Sequence, residues 1–516
     1  MRRRTTLIVL LSALGAHGPA FAGPLTPPAG PIAPTPGEEP RIPLTQATTP
    51  GNASAVFVIN QPGSYYLEGN VAPIGLQSGV QVEAEHVTLD LNGFTIDGVG
   101  GGQHGVSGPF AHGLVVRNGV IRNMTSDGVY LPFSDRVRVE SIRVENCAGG
   151  GVSLGADGAI IDSVASGCDF SGFSAGDGAT MVACRSIANG TGFATGAAMM
   201  VDCLASLNST NGFRTTARAT FERCTAADNG ENGFSLLDGG RMTACESRGN
   251  TVGYLFFGDT DATECSALNS SLQGFNITST TTRLTECASI GNGSDGVRGQ
   301  TDPQTGQGAR LSMIRCTVER NLGGGVYLPS GYAVPIREST FTENNGYGVL
   351  FDIGTIEDCV LTLHLADAVR TLNQGAEMVT IRNNRILGTF AQGIWADGPA
   401  LVEGNVVESV FENGIVVRTG SVVRGNTVRN AHLSGPPATG DGAIKTLDGD
   451  NRIEGNTTYG NGGGANGAAD IRYLFDRNII VGNTLYDGTI SSYGVNSNTL
   501  IGPINDLSSP STNLQR

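Results

Sequence analysis

The sequence predicts an all-β chain folded as one single-stranded right-handed parallel β-helix, a solenoid of roughly twenty coils. Three observations predict it. The pair Gly-apolar returns about every twenty residues, at Phe173, Phe193, Phe213, Phe234, Tyr254, Phe275 and Val297. A second column keeps step with it: Asn stands five residues after Cys in Cys184–Asn189, Cys203–Asn208, Cys224–Asn229, Cys245–Asn250, Cys287–Asn292 and Cys316–Asn321, and four after it in Cys265–Asn269. Composition is the third, because 76 Gly suit turns and not helices, where each Gly costs about 1 kcal/mol against Ala.

In chain order, the first element is a leader. Arg2 to Arg4, an apolar stretch from Leu7 to Leu14 and Ala20-Phe21-Ala22 before Gly23 predict a secretory signal over 1–22. Residues 23–54 are Pro-rich with no apolar period and predict an extended spacer. The β-helix is expected over 55–505, with 506–516 as a C-terminal tail. No other apolar run reaches the ~20 residues of a membrane span.

Within a coil, each residue type has a physical task. In "TFERCTA", alternation puts Phe221, Arg223 and Thr225 on one side and Glu222, Cys224 and Ala226 on the other, the small set inward. Eight Cys share one column (184, 203, 224, 245, 265, 287, 316, 359), with Ser339 in the same slot, and they read as buried free thiols. Cys147 and Cys168 fall in a different column, five residues before their coil-closing residue. Asn is expected to take positive φ at a turn and to bond to the Asn of the next coil. Phe and Tyr are expected to stack ring on ring in the core. A leucine-rich repeat has a similar period but needs several Leu per unit, which this chain does not offer.

The net charge is −15 and Lys445 is the only lysine, which excludes a nucleic-acid partner on the usual electrostatic grounds.

"VINQPGSYYLEGN" at 58–70 and "VTLDLNGFTIDG" at 87–98 resemble the opening of bacterial secreted right-handed parallel β-helix repeat proteins of the pectate-lyase-like superfamily. The stretches "DNRIEGNTTYGNG" at 450–462 and "NIIVGNTLYDGTISSYGVNSNTLIGPI" at 478–504 resemble their ending. The resemblance implies an exported protein that binds or processes an extracellular polysaccharide by lyase, hydrolase or epimerase chemistry. It also admits the alternative of a non-catalytic cell-surface or periplasmic rod, and it allows a calcium ion; no other metal or cofactor is implied. The Asn-x-Asp, Asp-Asp and Gly-His-Gly of polygalacturonases and the Asp-Pro-His-Asp of alginate epimerases do not occur in this chain.

Two clusters remain as candidates. In the first, Asp97 and His104, with Asp90, His112 and Asp127 nearby in sequence, offer a carboxylate and an imidazole for proton transfer, against the plainer reading of turn caps and solvated imidazoles. In the second, segments that lengthen the repeat carry Arg298, Asp302, Arg310, Tyr332, His432, Asp441 and Lys445, with Arg310 or Lys445 the residue for a lyase-type base. Trp395, the single tryptophan, either stacks on a sugar or packs on the core. A shift of one coil sets Glu140 beside Arg117 and Glu145 beside Arg122, which predicts cross-strand ion pairs.

Overall fold

The computed structural model describes residues 41–278, 281–301, 308–373, 375, 377–432, 442–461, 469–486, 489–492, 498–502 and 513–515. The segments expected as leader and, for the most part, as spacer, together with Asp302 and Asp441, lie outside the described residues. The architecture is that of the compact unit Ile42–Arg516.

Its strands form one continuous parallel ladder, wound as a solenoid of about 20 turns, as the repeat predicts. Each coil contributes up to three short strands to three faces. The coil around Cys203 shows the order: Ala198–Val201 on the third face, Leu204–Ser206 on the first, Phe213–Thr215 on the second. The ladder extends past both ends of 55–505, from Ile42–Pro43 paired with Tyr65–Tyr66 to Leu514–Gln515 paired with Thr484–Leu485. A single 3₁₀ turn at Gly98–Gly100 is the only helix among the described residues.

Stacked rings run up the core behind the second face. Phe173, Phe193, Phe213, Phe234, Tyr254 and Phe275 lie in register with centroids 4.7–5.2 Å apart. This is one coil spacing, so each ring meets the next without tilting away.

The corners differ from the alternation expected within "TFERCTA". Phe221 and Cys224 are both buried, because Arg223 between them turns left-handed at φ 51° and resets the pleat. The ladder Asn is not the left-handed residue either. That conformation belongs to its predecessor: Ala188, Leu207, Asp228, Gly249, Asn269, Gly291, Arg320 and Glu343 all have positive φ, while Asn189, Asn208, Asn229, Asn250, Ser270, Asn292, Asn321 and Asn344 follow them into the core. Ser270, not Asn269, therefore occupies the ladder in its coil.

Each left-handed side chain costs roughly 1–2 kcal/mol, and the residue after it returns more than one hydrogen bond. Asn229 accepts from the backbone N–H of Asn208 at 3.0 Å and donates to the Ala205 carbonyl at 3.1 Å and to Asn250 Oδ1 at 3.0 Å. Cys147 and Cys168 begin this same column, since Cys168 N–H donates to Asn189 Oδ1 at 2.8 Å.

The thiol column is the same device at the other corner. Sγ of Cys184, Cys203, Cys224 and Cys316 approaches the carbonyls of Ile160, Met181, Met200 and Leu284, each three residues before the column member of the preceding coil. After Cys359 the column continues as Asn384, Asn405, Asn426, Asn456, Asn483 and Asn513, whose Nδ2 takes the equivalent carbonyls. Thiol and amide are thus exchangeable fillings of one slot.

All ten cysteines are free and buried. Burial pushes the Cys359 thiol up to about 12, so it stays protonated and unreactive. A thiol titration with an aromatic disulfide reagent at neutral pH is therefore expected to find no fast-reacting group in the native protein and all ten after denaturation.

Arg117 and Arg122 do lie in register with Glu140 and Glu145, but their ion partners stand one coil earlier. Arg117 pairs with Asp90 at 3.2 Å and Arg122 with Asp97 at 2.8 Å, while Glu140 and Glu145 are held by Arg138 and Arg143.

Candidate functional site

The register sorts the candidate residues onto different faces. Along the outward side of the second face, Arg298 and Tyr327 stand in one column with Leu350, Arg370, Trp395, Val416, Lys445 and Arg472. Arg298, Trp395 and Lys445, far apart in sequence, are thereby brought onto one line, with Lys445 two coils or ~10 Å beyond Trp395. Arg310 and Tyr332 meet instead on the third face, the guanidinium 5.2 Å from the ring centroid. His432 is buried at a first-to-second-face corner with φ 73°.

Asp97 and His104 are not joined to each other. Asp97 is held by Arg122 and by Asn123 at 2.9 Å; burial opposes ionisation, but these hydrogen bonds leave its carboxyl below the usual range. His104 is buried, stacks on Tyr130 with centroids 4.6 Å apart, and has Nδ1 3.7 Å from Asp127. Burial lowers its affinity for a proton, with Asp127 acting in opposition. His112 approaches Asp135, a separate pair.

A polar cluster lies around Trp395, which is half-buried on the outer side of Ile394–Ala396 and not in the core. The Arg370 guanidinium covers one ring face, 4.6 Å from the centroid. Indole Nε1 donates to Asp397 Oδ1 at 2.8 Å, and Arg418 Nε reaches the same oxygen at 3.2 Å. Arg370 bridges two carboxylates, Asp367 and Asp397, at 3.3 Å each. Asp367 also accepts from Gln392 N–H at 3.0 Å. Burial raises its pKa in spite of these donors, so its proton is retained to higher pH than on an ordinary aspartate.

Beside this cluster, a cleft of about 440 Å³ is lined by Gly375, Asp397, Pro399, Arg418, Thr419 and Asp448. Arg418 spans it, 3.5 Å from Asp448. Leu350 and Val416, outward by register, are nonetheless buried between the larger side chains of their column, so the face is a shallow trough and not a flat sheet. It brings together an aromatic ring, carboxylates that accept hydrogen bonds and a guanidinium that donates them.

Of this cluster only Trp395 was singled out from the sequence. A signal for Asp367 and Arg370 existed in the repeated Asp-x-Val-Arg of "SDGVR" and "LADAVR", which sets Asp295 against Arg298 at 3.1 Å as it sets Asp367 against Arg370. Among the described residues no group of three or more His, Cys, Asp or Glu is placed to hold a metal, so the calcium ion that the resemblance allows finds no cradle there. No described helix is long and apolar enough to cross a membrane.

Comparison with known proteins agrees on the coil type. Residues 367–504 match the family model described as "Right handed beta helix region". Over that span the chain is similar to this family, and the described strands on either side of it continue the same parallel coil. No curated protein matches the sequence. Similar solved structures include the Dettilon tailspike protein (13% identity, TM-score 0.27, 83% of this chain and 62% of that one). They also include an Azotobacter vinelandii mannuronan C-5 epimerase A-module (15%, 0.20, 85% and 91%) and the catalytic unit of an alpha-1,3-glucanase from Streptomyces thermodiastaticus (14%, 0.23, 70% and 62%). This chain thus spans less than two thirds of the length of the tailspike and of the glucanase unit.

Proposed function

We propose that the trough on the second face binds an extracellular polysaccharide, with Trp395 as its aromatic wall and Asp397, Arg418 and Asp448 as the hydroxyl-binding groups of the adjoining cleft. The observation that carries this reading is the position of the one tryptophan: outward, braced by Arg370 and hydrogen-bonded through Nε1 to a buried carboxylate. A large apolar ring held rigid at a polar cleft loses little entropy on meeting the apolar face of a sugar. Lys445, Arg298 and Tyr327 extend the same line. The engagement of Asp367 and Asp397 by donors of the protein itself favours binding over turnover. The leader at 1–22 would deliver the protein outside the cytoplasm, where such polymers lie. The uniform coils from Ser171 to Thr278 favour a second, compatible role as a rigid spacer.

Because Trp395 is the only tryptophan, its emission reports on the site directly. A panel of acidic and neutral polysaccharides is expected to contain one that shifts that emission and retards the protein in an affinity gel. Trp395→Ala and Arg418→Ala should each weaken that retardation about tenfold, the loss of one stacked ring or charged hydrogen bond. A panel in which no glycan moves either signal would exclude this reading.

A further inference from the structure

The third face carries a second feature that the trough does not use. Three clefts succeed one another up its outer side. The first is lined by Arg218, Thr220, Arg241 and Asp261, the next by Thr281, Arg283, Arg310, Ser312 and Arg337, and the last by Arg337, Thr355, Glu357, Thr380 and Arg382. The strands beneath them pair coil on coil from Ala219 through Gly240, Thr260, Thr282, Leu311, Ala333 and Gly354 to the coil of Thr380, with register shifts just after Leu311 and just after Ala333. Seven steps at ~4.8 Å make a strip of about 34 Å.

Its charge opposes that of the whole chain. Six arginines line the strip against two carboxylates, in a protein of net charge −15. Arg283 is neutralised by Asp261 at 2.9 Å, and Glu357 is shared by Arg337 and Arg382. Arg218, Arg241 and Arg310 are exposed and have no ion pair among the described residues; Arg310 lies only against the Tyr332 ring. Nε of Arg337 is buried without a hydrogen-bond partner. Elsewhere on the coils the usual arginine is tied to a carboxylate one coil away, as in Arg223–Asp202, Arg315–Glu286 and Arg424–Glu403. Within the strip Arg283, Arg337 and Arg382 keep that habit, and Arg218, Arg241 and Arg310 depart from it.

From this we infer that the third face between Arg218 and Arg382 is a binding strip for an acidic polysaccharide, a linear chain bearing carboxylate groups. Length and shallowness suit a polymer and not a small anion. Guanidinium groups pair with carboxylates in a planar, two-bond geometry. Hydroxyls of Thr220, Thr281, Ser312, Thr355 and Thr380 supply the neutral contacts of a sugar chain. Charge density selects among polyanions: DNA carries one charge per ~1.7 Å and meets the full repulsion of an acidic protein, whereas a polyuronate has one charge per sugar ring. The inference stands apart from the second-face trough, and either site can exist without the other.

The test is affinity electrophoresis of the full chain through gels containing polygalacturonate or alginate, with dextran and single-stranded DNA gels as comparators. Retardation by a polyuronate, weakening as salt rises, is expected for the natural protein. The triple variant Arg218→Ala, Arg241→Ala, Arg310→Ala should lose at least tenfold in affinity, and the corresponding triple Lys variant should regain part of it. Arg424→Ala, at an exposed arginine outside both the strip and the trough, should leave polyuronate retardation unchanged. The thermal transition of each variant verifies that the coils remain formed, as exposed positions allow. The inference is overturned by absence of polyuronate retardation in the natural protein, by equal retardation of the triple Ala variant, by an equal loss on Arg424→Ala, or by DNA retarding the protein as strongly.

Discussion

Replacing Asn405 by Leu is expected to destabilise its neighbourhood by roughly 4 kcal/mol, the largest effect of any single substitution considered. The side chains are similar in volume, so the loss is one of hydrogen bonding and not of packing. Oδ1 of Asn405 accepts from Asn384 N–H at 2.9 Å and from Asn384 Nδ2 at 3.0 Å. Nδ2 donates to the Ile381 carbonyl and to Asn426 Oδ1, both at 2.9 Å. Leucine leaves a backbone N–H, an amide N–H and a carbonyl without partners at a position wholly removed from water, and each buried orphan costs ~1–3 kcal/mol. The left-handed Gly404 (φ 65°), whose corner the ladder stabilises, then loses its return. Asn405→Asp should do at least as much damage at neutral pH, because a carboxylate oxygen would face Asn426 Oδ1. Cys245→Ala, in the same column but with only a weak thiol contact to lose, should cost about 1–2 kcal/mol.

The measurement must be local, since a solenoid opens by segments and need not unfold in one step. Trp395 sits half a coil before Asn405 and reports on that segment. Denaturant titration followed by its emission should show a midpoint shifted well below that of the natural protein, while thiol exposure at Cys203–Cys245, many coils away, shifts far less. Coincident, unshifted transitions would show that the ladder contributes little.

The ladders also show what the sequence could disclose and what it could not. The five-residue interval from Cys to Asn is the first-face strand measured corner to corner, so a fixed backbone length wrote itself into the spacing. Which residue turns left-handed left no such trace, because Ala183, Leu207, Arg223 and Arg315 all do it and share no side-chain chemistry. The register, imposed by the coils around them, overrides their own preferences. The change of filling from Cys359 to Asn384 hid the continuity of the first column. Its trace was the dipeptide Gly-Asn at 404–405, 425–426, 455–456 and 482–483, a left-handed Gly followed by the ladder amide.

The candidate site was less legible for a related reason. A functional residue on a solenoid is defined by its neighbours one coil away, twenty to thirty residues distant and without a fixed offset once connections lengthen. Trp395 drew notice as the single tryptophan, but Asp397, Arg418 and Asp448 resemble many other turn residues until the register brings them to one cleft. Arg310 and Lys445 looked alike as candidate bases. Their separation onto two faces follows from strand assignment, Arg310 opening Arg310–Ile314 on the third face and Lys445 lying within Gly442–Thr446 on the second.

Acid is expected to loosen the coil at His364, and His364→Asn to abolish the effect. His364 occupies the ladder slot after Asn344, fully buried, with neither ring nitrogen in a hydrogen bond. Burial lowers its pKa to about 4, partly offset by the backbone of Asn344 and Phe341. An unfolded histidine titrates near 6.5, so the opened chain takes up the proton first. Between these two values the open state binds more protons than the closed one, and stability falls as pH drops through 6.5 and levels off near 4. The interval corresponds to about 3 kcal/mol, or two orders of magnitude in local opening. Asparagine carries no proton and offers what the ring does not: an oxygen toward Asn344 and an Nδ2 toward the Phe341 carbonyl, the acceptor three residues before the preceding ladder member. Cys359, at the other corner of the same coil, is the reporter. Its rate of labelling by a pH-insensitive thiol reagent, taken as a ratio between natural protein and His364→Asn, should rise about a hundredfold from pH 7 to pH 4. A ratio that stays flat would mean that the imidazole is solvated or paired in the native coil, and that the slot tolerates a charge the packing says it excludes.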